Sequence, residues 1–176
     1  MTGLKQNLPR SRRRTAAAIA CVGIAAGLLA TSFIALAQDQ SVATVKDVIF
    51  ARKTMMSAIS DNMDQIETMI ASGKKIDLDD AHEHADTISV MFMAFPHLFP
   101  TSSNQWKPNA DLDPATDTFA SPDAWSKFSD FYQRAAGASK TAYDMSRADK
   151  VEELKTRTKE LRVACDGCHA LYLKTQ

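Results

Sequence analysis

The chain has 176 residues, with 21 basic and 21 acidic side chains, 45% apolar residues and three cysteines. The balanced charge excludes the strongly basic composition that is typical of nucleic-acid-binding domains. The length suits a single domain with one hydrophobic core, once an N-terminal leader is set apart.

The first 37 residues have the composition of an export signal. Five basic residues precede an uncharged stretch from Thr15 to Ala37, and Ala35-Leu36-Ala37 offers a cleavage site before Gln38. This order predicts a secretory signal peptide over residues 1–37 and a periplasmic mature protein. The uncharged stretch is also long enough for an uncleaved membrane anchor, which is the alternative.

Two segments with helical periodicity follow the leader. The first, about residues 42–71, places its inward-facing residues at alternating steps of four and three, and Gly73 can supply a left-handed cap. The second begins near Asp77 with similar spacing and is broken by Pro96 and Pro100. Their inward-facing positions are Val45, Ile49, Arg52, Met56, Ile59, Met63, Ile66 and Ile70, then Leu78, Ala81, Ala85, Ile88, Phe92 and Phe95.

A long connection of loop composition, up to residue 120, separates two further helical segments. Ser121-Pro122-Asp123 predicts the start of the third helix, with a capping hydroxyl and a proline in the first turn. The fourth is expected to start near Asp149, which with Glu152 resembles a capping box. Inward-facing positions are expected at Trp125, Phe128, Tyr132, Ala135, Ser139 and Ala142, then at Val151, Leu154, Thr158, Leu161, Cys165, Cys168 and Tyr172. The four segments predict an all-α bundle over residues 38–176.

The fourth segment ends in the motif Cys165-Asp166-Gly167-Cys168-His169. This spacing is that of a c-type haem attachment site. Residues i and i+3 share a helix face, so both thiols can add to the vinyl groups of one porphyrin. His169 would then bind the iron as the proximal ligand. We therefore expect one covalently bound haem c, with its iron, in the core of the bundle.

Other uses of the motif fit less well. A redox-active CxxC needs a thioredoxin-like βαβ context, and no neighbouring segment alternates like a strand. A structural zinc site needs four ligands, and residues 38–176 offer no second cysteine pair. A thiol–disulfide protein without haem remains an alternative.

The charge of residues 38–176 bears on the partners of such a protein. Without the five basic residues of the leader, 16 basic and 21 acidic side chains remain, a net charge of −5. Nucleic acid and anionic membrane surfaces are therefore poor partners. We expect soluble or membrane-associated redox proteins, with a basic patch on the partner.

Two inward-facing residues of the first helix are unusual. Arg52 would be costly as an unpaired charge, whereas a haem propionate would pair well with its guanidinium. In the alternative, its side chain reaches solvent at the end of the bundle. Met56 lies one turn further along the same face and is a candidate distal ligand, because methionine and histidine form a known haem ligand pair. A methionine at such a position is more often core packing.

Three histidines compete with Met56 for the distal position. His82 and His84 have polar neighbours near the start of the second helix and are expected to be solvated. His97 lies between two prolines, where it could cap a helix end or approach the edge of the haem.

The sequence resembles the cytochrome c′ family, also called class II cytochromes c, over residues 42–174. This resemblance implies an antiparallel, up-down-up-down four-helix bundle. It also implies contact of Arg52 with a propionate and a position for Met56 on the distal side of the iron. Many members carry an arginine four residues after the haem histidine, where this chain has Leu173. The resemblance rests on the CxxCH motif near the end of the last helix, Arg52-x-x-x-Met56 with Met63 beyond it, Phe99-Pro100 and Ser121-Pro122-x-x-Trp125.

The axial ligands decide between two functions. Ligation by His169 and Met56 predicts a low-spin periplasmic electron carrier, whereas an empty sixth position predicts a pentacoordinate protein that binds NO or CO. No acid–base pair or substrate pocket is evident, so we expect no enzymatic activity. Members of the family often pair through their first two helices, so a homodimer is among the expected assemblies.

Overall fold

The computed structural model describes residues 43–113 and 117–174, so the predicted signal peptide and its cleavage site lie outside the described residues. Four long helices form the antiparallel four-helix bundle that the sequence predicted. The helices are α1 (Val45–Ala71), α2 (Leu78–Ala94), the single-turn α3 (Asp123–Ser126), α4 (Phe128–Met145) and α5 (Val151–Tyr172), with 3₁₀ turns at Phe95–Leu98 and Thr101–Ser103. No helix in the described ranges has both the length and the apolarity needed to cross a membrane.

Local signals define both ends of α1 and the start of α2. Thr44 and Asp47 form a capping box, in which the Asp47 amide donates to Thr44 Oγ1 at 3.2 Å and the Thr44 amide to Asp47 Oδ2 at 2.8 Å. After α1, Gly73 has a φ of +68°, which confirms the predicted left-handed cap. Asp77 caps α2 by accepting hydrogen bonds from two backbone amides of the first turn.

The core of the bundle confirms the predicted inward faces of α1 and α2. Ile66 of α1 and Ile88 of α2 are both fully buried, and they pack with Leu154 of α5 and Met145 of α4 in one cluster. A second cluster fills the end of the bundle near the 3₁₀ turns and consists of Phe95, Phe99, Ala124, Phe131 and Tyr172.

The third predicted helix differs from the structure. The chain leaves helical geometry at Lys127, with φ −116° and ψ 38°, which separates α3 from α4. This break changes which residues at the start of α4 face the core. As a result Phe131 is only 2% exposed, whereas Phe128 and Tyr132, which were predicted to face inward, are 40% and 41% exposed. The predicted inward positions at Ala135, Ser139 and Ala142 are confirmed.

The start of α5 also differs from the prediction. Its N-cap is Lys150, which makes no side-chain capping bond, so the capping box of Asp149 and Glu152 is wrong. Glu152 instead accepts a hydrogen bond from Lys155 Nζ at 2.9 Å. The inward face of α5 is as predicted, since Leu154, Thr158, Leu161 and Tyr172 are buried.

The C-terminal end of α5 is tied to the residues that precede α3. The Ser121 amide donates to the Tyr172 carbonyl at 2.7 Å, and the Lys174 amide donates to the Phe119 carbonyl at 2.8 Å. Backbone hydrogen bonds therefore fix the position of the helix turn that follows the CxxCH motif.

The packing of α2 gives a first prediction. Ile88→Ala should lower the free energy of unfolding by about 2–5 kcal/mol, because the truncation leaves a cavity in the core. Chemical denaturation of the haem-loaded protein, followed by far-ultraviolet circular dichroism, measures the change. Val90 lies on the same helix but is 67% exposed, so Val90→Ala should change stability by less than about 0.5 kcal/mol. Equal losses in the two variants would contradict the assigned face of α2.

Candidate haem site

A cavity of about 510 Å³ lies between α1 and α5 and has the size of a typical cofactor site. Its walls also include the 3₁₀ turn after α2, residues 118–120 and one aromatic residue of α4. The five site residues predicted from the sequence all line this cavity: Arg52 and Met56 from α1, and Cys165, Cys168 and His169 from α5.

The two cysteines lie on one face of α5, half-buried and three residues apart. Burial raises the pKa of Cys165, and burial together with the neighbouring Cys165 raises the pKa of Cys168 to about 11. Reactive redox cysteines need a lowered pKa, so this environment disfavours a thiol–disulfide protein. His169 follows directly on α5 and lies at the cavity wall.

Arg52 is buried in the cavity wall, at 4% exposure. Its Nη1 donates to Ser103 Oγ at 3.0 Å, and its Nη2 donates to the Ser103 carbonyl at 3.3 Å and to Thr118 Oγ1 at 2.5 Å. The guanidinium also lies over the rings of Phe99 and Trp125, at 4.7 Å and 5.3 Å from their centroids. The alternative in which Arg52 reaches solvent at the end of the bundle is therefore wrong.

The electrostatics of Arg52 fit an anionic group in the cavity. Desolvation lowers its pKa to about 10, so the side chain stays charged at neutral pH. In the part of the chain that the structure describes, its hydrogen-bond acceptors are two hydroxyls and a carbonyl, and no carboxylate pairs with it. A buried cation with only neutral partners is stabilised by a nearby negative charge, such as a haem propionate.

Two methionines of α1 line the cavity. Met56 is half-buried and also lines a smaller adjoining gap with His169, whereas Met63 is 2% exposed. Met55 packs against both core clusters and does not line the cavity. Among the described residues, Met56 and Met63 are the methionines that line the cavity.

The other histidines do not line the cavity. His82 Nε2 lies 2.9 Å from the Ala148 carbonyl and His84 Nδ1 lies 2.7 Å from Asn62 Oδ1. Both residues are half-buried, so they are only partly solvated. His97 is exposed and its ring contacts Tyr132.

Aromatic residues form part of the cavity wall. The ring centroids of Phe99 and Phe131 are 4.5 Å apart, and those of Phe131 and Tyr172 are 5.2 Å apart. Sequence reasoning missed Phe131 because it assumed an unbroken third helix. It also missed Ser103 and Thr118, which lie in the long connection, where no periodicity marks an inward-facing residue.

A helical bundle whose last helix presents a CxxCH motif to an apolar cavity with a buried arginine defines the class of c-type cytochromes. A family model described as Cytochrome C' matches residues 47–172, and the chain belongs to this family. The cofactor is one covalently attached haem c with its iron. No curated protein matches the chain in sequence.

Solved structures share the fold at low sequence identity. Cytochrome c prime from Shewanella frigidimarina is 19% identical with a TM-score of 0.64, and the alignment covers 76% of this chain and 99% of that protein. R. palustris cytochrome c556 is 22% identical with a TM-score of 0.60, with coverages of 74% and 98%. A mutant of cytochrome c prime from Alcaligenes xylosoxidans, complexed with nitrite, is 13% identical with a TM-score of 0.64, with coverages of 76% and 99%.

The contacts of Arg52 predict a change in the long connection. Arg52→Ala should loosen the segment between Ser103 and Thr118, because it removes the donor that holds both of its ends. We expect a loss of about 1–3 kcal/mol in stability and faster cleavage in this segment during limited proteolysis. Lys46→Ala, at an exposed position of α1, should leave the cleavage rate unchanged. Equal cleavage rates in both variants would mean that other contacts hold the connection.

Proposed function

We propose that this chain is an exported electron-transfer cytochrome in which Cys165 and Cys168 form the thioethers to haem and His169 and Met56 bind its iron. The observation that carries the proposal is that Met56 of α1 and the CxxCH motif of α5 line one cavity. An imidazole and a thioether are thus available from two different helices of one packed bundle. Methionine–histidine ligation is a known haem environment that raises the reduction potential.

The bound haem supplies the one-electron couple of the iron, and the residues of the chain control its surroundings. The two cysteines fix the porphyrin to α5, and the helix determines where His169 lies. Met56 is carried by α1, whose neighbours Ile59 and Met63 are buried in the core. Ligands held by packed helices move little when the iron changes oxidation state, which favours rapid electron transfer.

Arg52 is proposed to pair with a haem propionate. The supporting observations are its burial in the cavity wall and its uncharged partners in the protein. Ser103 and Thr118 orient the guanidinium, while its charge remains available to an anion in the cavity. Such a pair would offset part of the desolvation cost of Arg52.

A pentacoordinate gas-binding cytochrome is the second candidate. Two structural relatives favour it, since mutants of cytochrome c prime from Alcaligenes xylosoxidans were solved as complexes with nitric oxide and with nitrite. In this function Met56 would pack beside the iron without binding it, and the distal side would accept NO or CO.

The location and the partners of the protein are inferred from the leader and from the net charge. We propose export to the periplasm by residues 1–37, which agrees with the periplasmic location typical of the family. The net charge of −5 after removal of the leader supports redox proteins rather than nucleic acid as partners. One structural relative is a cytochrome c′ with ligand-controlled dimer dissociation, which supports a homodimer. We propose a carrier rather than an enzyme.

The attachment of haem is tested at the cysteines. Cys165→Ala and Cys168→Ala should each abolish normal covalent loading, because each thioether holds one side of the porphyrin. A pyridine haemochrome assay on protein matured in a host with a haem-attachment system measures the bond type. An ordinary c-type spectrum from the double variant would contradict the assigned site, and haem-free wild-type protein with titratable thiols would favour the thiol–disulfide alternative.

The distal ligand is tested by the absorption spectrum. Wild-type protein should be low-spin, and Met56→Ala should become pentacoordinate or water-ligated. The reduction potential should then fall, because thioether sulfur favours the reduced iron, and CO should bind more readily.

Two variants of neighbouring methionines serve as controls. Met55→Ala should keep the low-spin spectrum because Met55 lies outside the cavity wall. Met63→Ala should also keep it, although it costs stability, because Met63 lies two turns from Met56, about 10 Å along the helix. If the low-spin spectrum survives in Met56→Ala and Met55→Ala but is lost in Met63→Ala, Met63 is the distal ligand. A high-spin wild-type spectrum would favour the gas-binding function.

A further inference from the structure

A cluster of three polar side chains borders the haem cavity between α4 and α5. Arg134 Nε donates a hydrogen bond to Asp130 Oδ2 at 2.7 Å, and the Tyr172 hydroxyl donates to the same oxygen. Arg134 lines the small gap of about 20 Å³ that it shares with Cys168 and His169. The ion pair therefore lies against the segment of α5 that carries the haem attachment motif.

The charges of this pair reach the attachment residues. Arg134 shares the small gap with Cys168 and His169, and Asp130 is held beside it by the hydrogen bonds from Arg134 and Tyr172. The two side chains have charges of opposite sign, so they have opposite effects on the relative stability of ferric and ferrous iron at this site.

This cluster is not the main contact that holds α5 in place. The end of that helix is held by backbone hydrogen bonds, from the Ser121 amide to the Tyr172 carbonyl at 2.7 Å and from the Lys174 amide to the Phe119 carbonyl at 2.8 Å. The Asp130 and Arg134 side chains are about half exposed, so their pairing adds little to stability. Their charges lie beside the attachment motif and would act on the haem whether or not the pair stabilises the helix.

We propose that Arg134 and Asp130 tune the reduction potential of the haem from the proximal side, Arg134 favouring the ferrous and Asp130 the ferric state. The inference rests on the proposed haem attachment through Cys165, Cys168 and His169, and it does not depend on the distal ligand. A nearby cation disfavours the more positive ferric iron, and a nearby carboxylate favours it. Because the pair borders solvent, salt screens both effects.

The test is a spectroelectrochemical titration of the haem-loaded protein at low ionic strength. Arg134→Gln should lower the midpoint potential, and Asp130→Asn should raise it. Each change should alter the ferrous-to-ferric ratio at a fixed potential by roughly two- to fivefold, and less at high salt. The double variant should return close to the wild-type potential, and Arg134→Lys, which keeps the charge, should stay near it.

A matched ion pair on the same helix serves as the control. Lys140 Nζ lies 2.6 Å from Asp144 Oδ2 at the same spacing of four residues, and neither residue lines the cavity. Lys140→Gln and Asp144→Asn should leave the midpoint potential unchanged. Shifts as large as those of the Arg134 and Asp130 variants would reflect net charge alone and would overturn the inference.

The remaining outcomes separate the inference from the function on which it rests. If Arg134→Gln and Asp130→Asn shift the potential in the same direction, or do not shift it, the pair has a structural role and the inference is wrong. Covalent haem in the wild-type protein would in that case leave the proposed function intact. Wild-type protein without covalent haem would overturn both.

Discussion

The structure around the cavity depends on one buried cation, the guanidinium of Arg52. Arg52 occupies an inward-facing position of α1 at 4% exposure, where its desolvation would be costly without partners. Ser103 and Thr118, at the two ends of the long connection, accept hydrogen bonds from the guanidinium, and the ring of Phe99 packs against it. The first helix, the 3₁₀ turn and the connection are thereby fixed to one another, and together they form one wall of the cavity.

The cavity lies between α1 and α5, so these two helices need a contact beside it that holds them together. Arg162, which precedes the CxxCH motif on α5, spans the gap and donates two hydrogen bonds to the carboxylate of Glu67 on α1, at 2.9 Å and 2.7 Å. A two-point contact of this kind fixes orientation as well as distance. The cavity wall therefore includes one residue of a charged pair, Arg162, as well as aromatic residues that pack by ring contacts.

The fold is compatible with either ligand state of the iron. The relatives in the family share the bundle at 13–22% identity, which shows the architecture and leaves the chemistry to the site. Under the proposed function, the difference between electron transfer and gas binding is whether the Met56 sulfur binds the iron. That distance depends on how α1 packs against α5, so the contact of Arg162 with Glu67 bears on function.

The sequence by itself determined the features that depend on neighbouring residues: the haem attachment motif, the helical periods and the left-handed cap at Gly73. These follow from helix geometry and hydrogen bonding within a turn or two of the chain. Only the tertiary structure decided that Phe131 faces the cavity, because the break at Lys127, which no glycine or proline marks in the sequence, changes which residues of α4 face inward. It likewise brought Ser103 and Thr118 to Arg52 across 51 and 66 residues, since the burial of a charge selects partners by position in space and not by spacing in the chain.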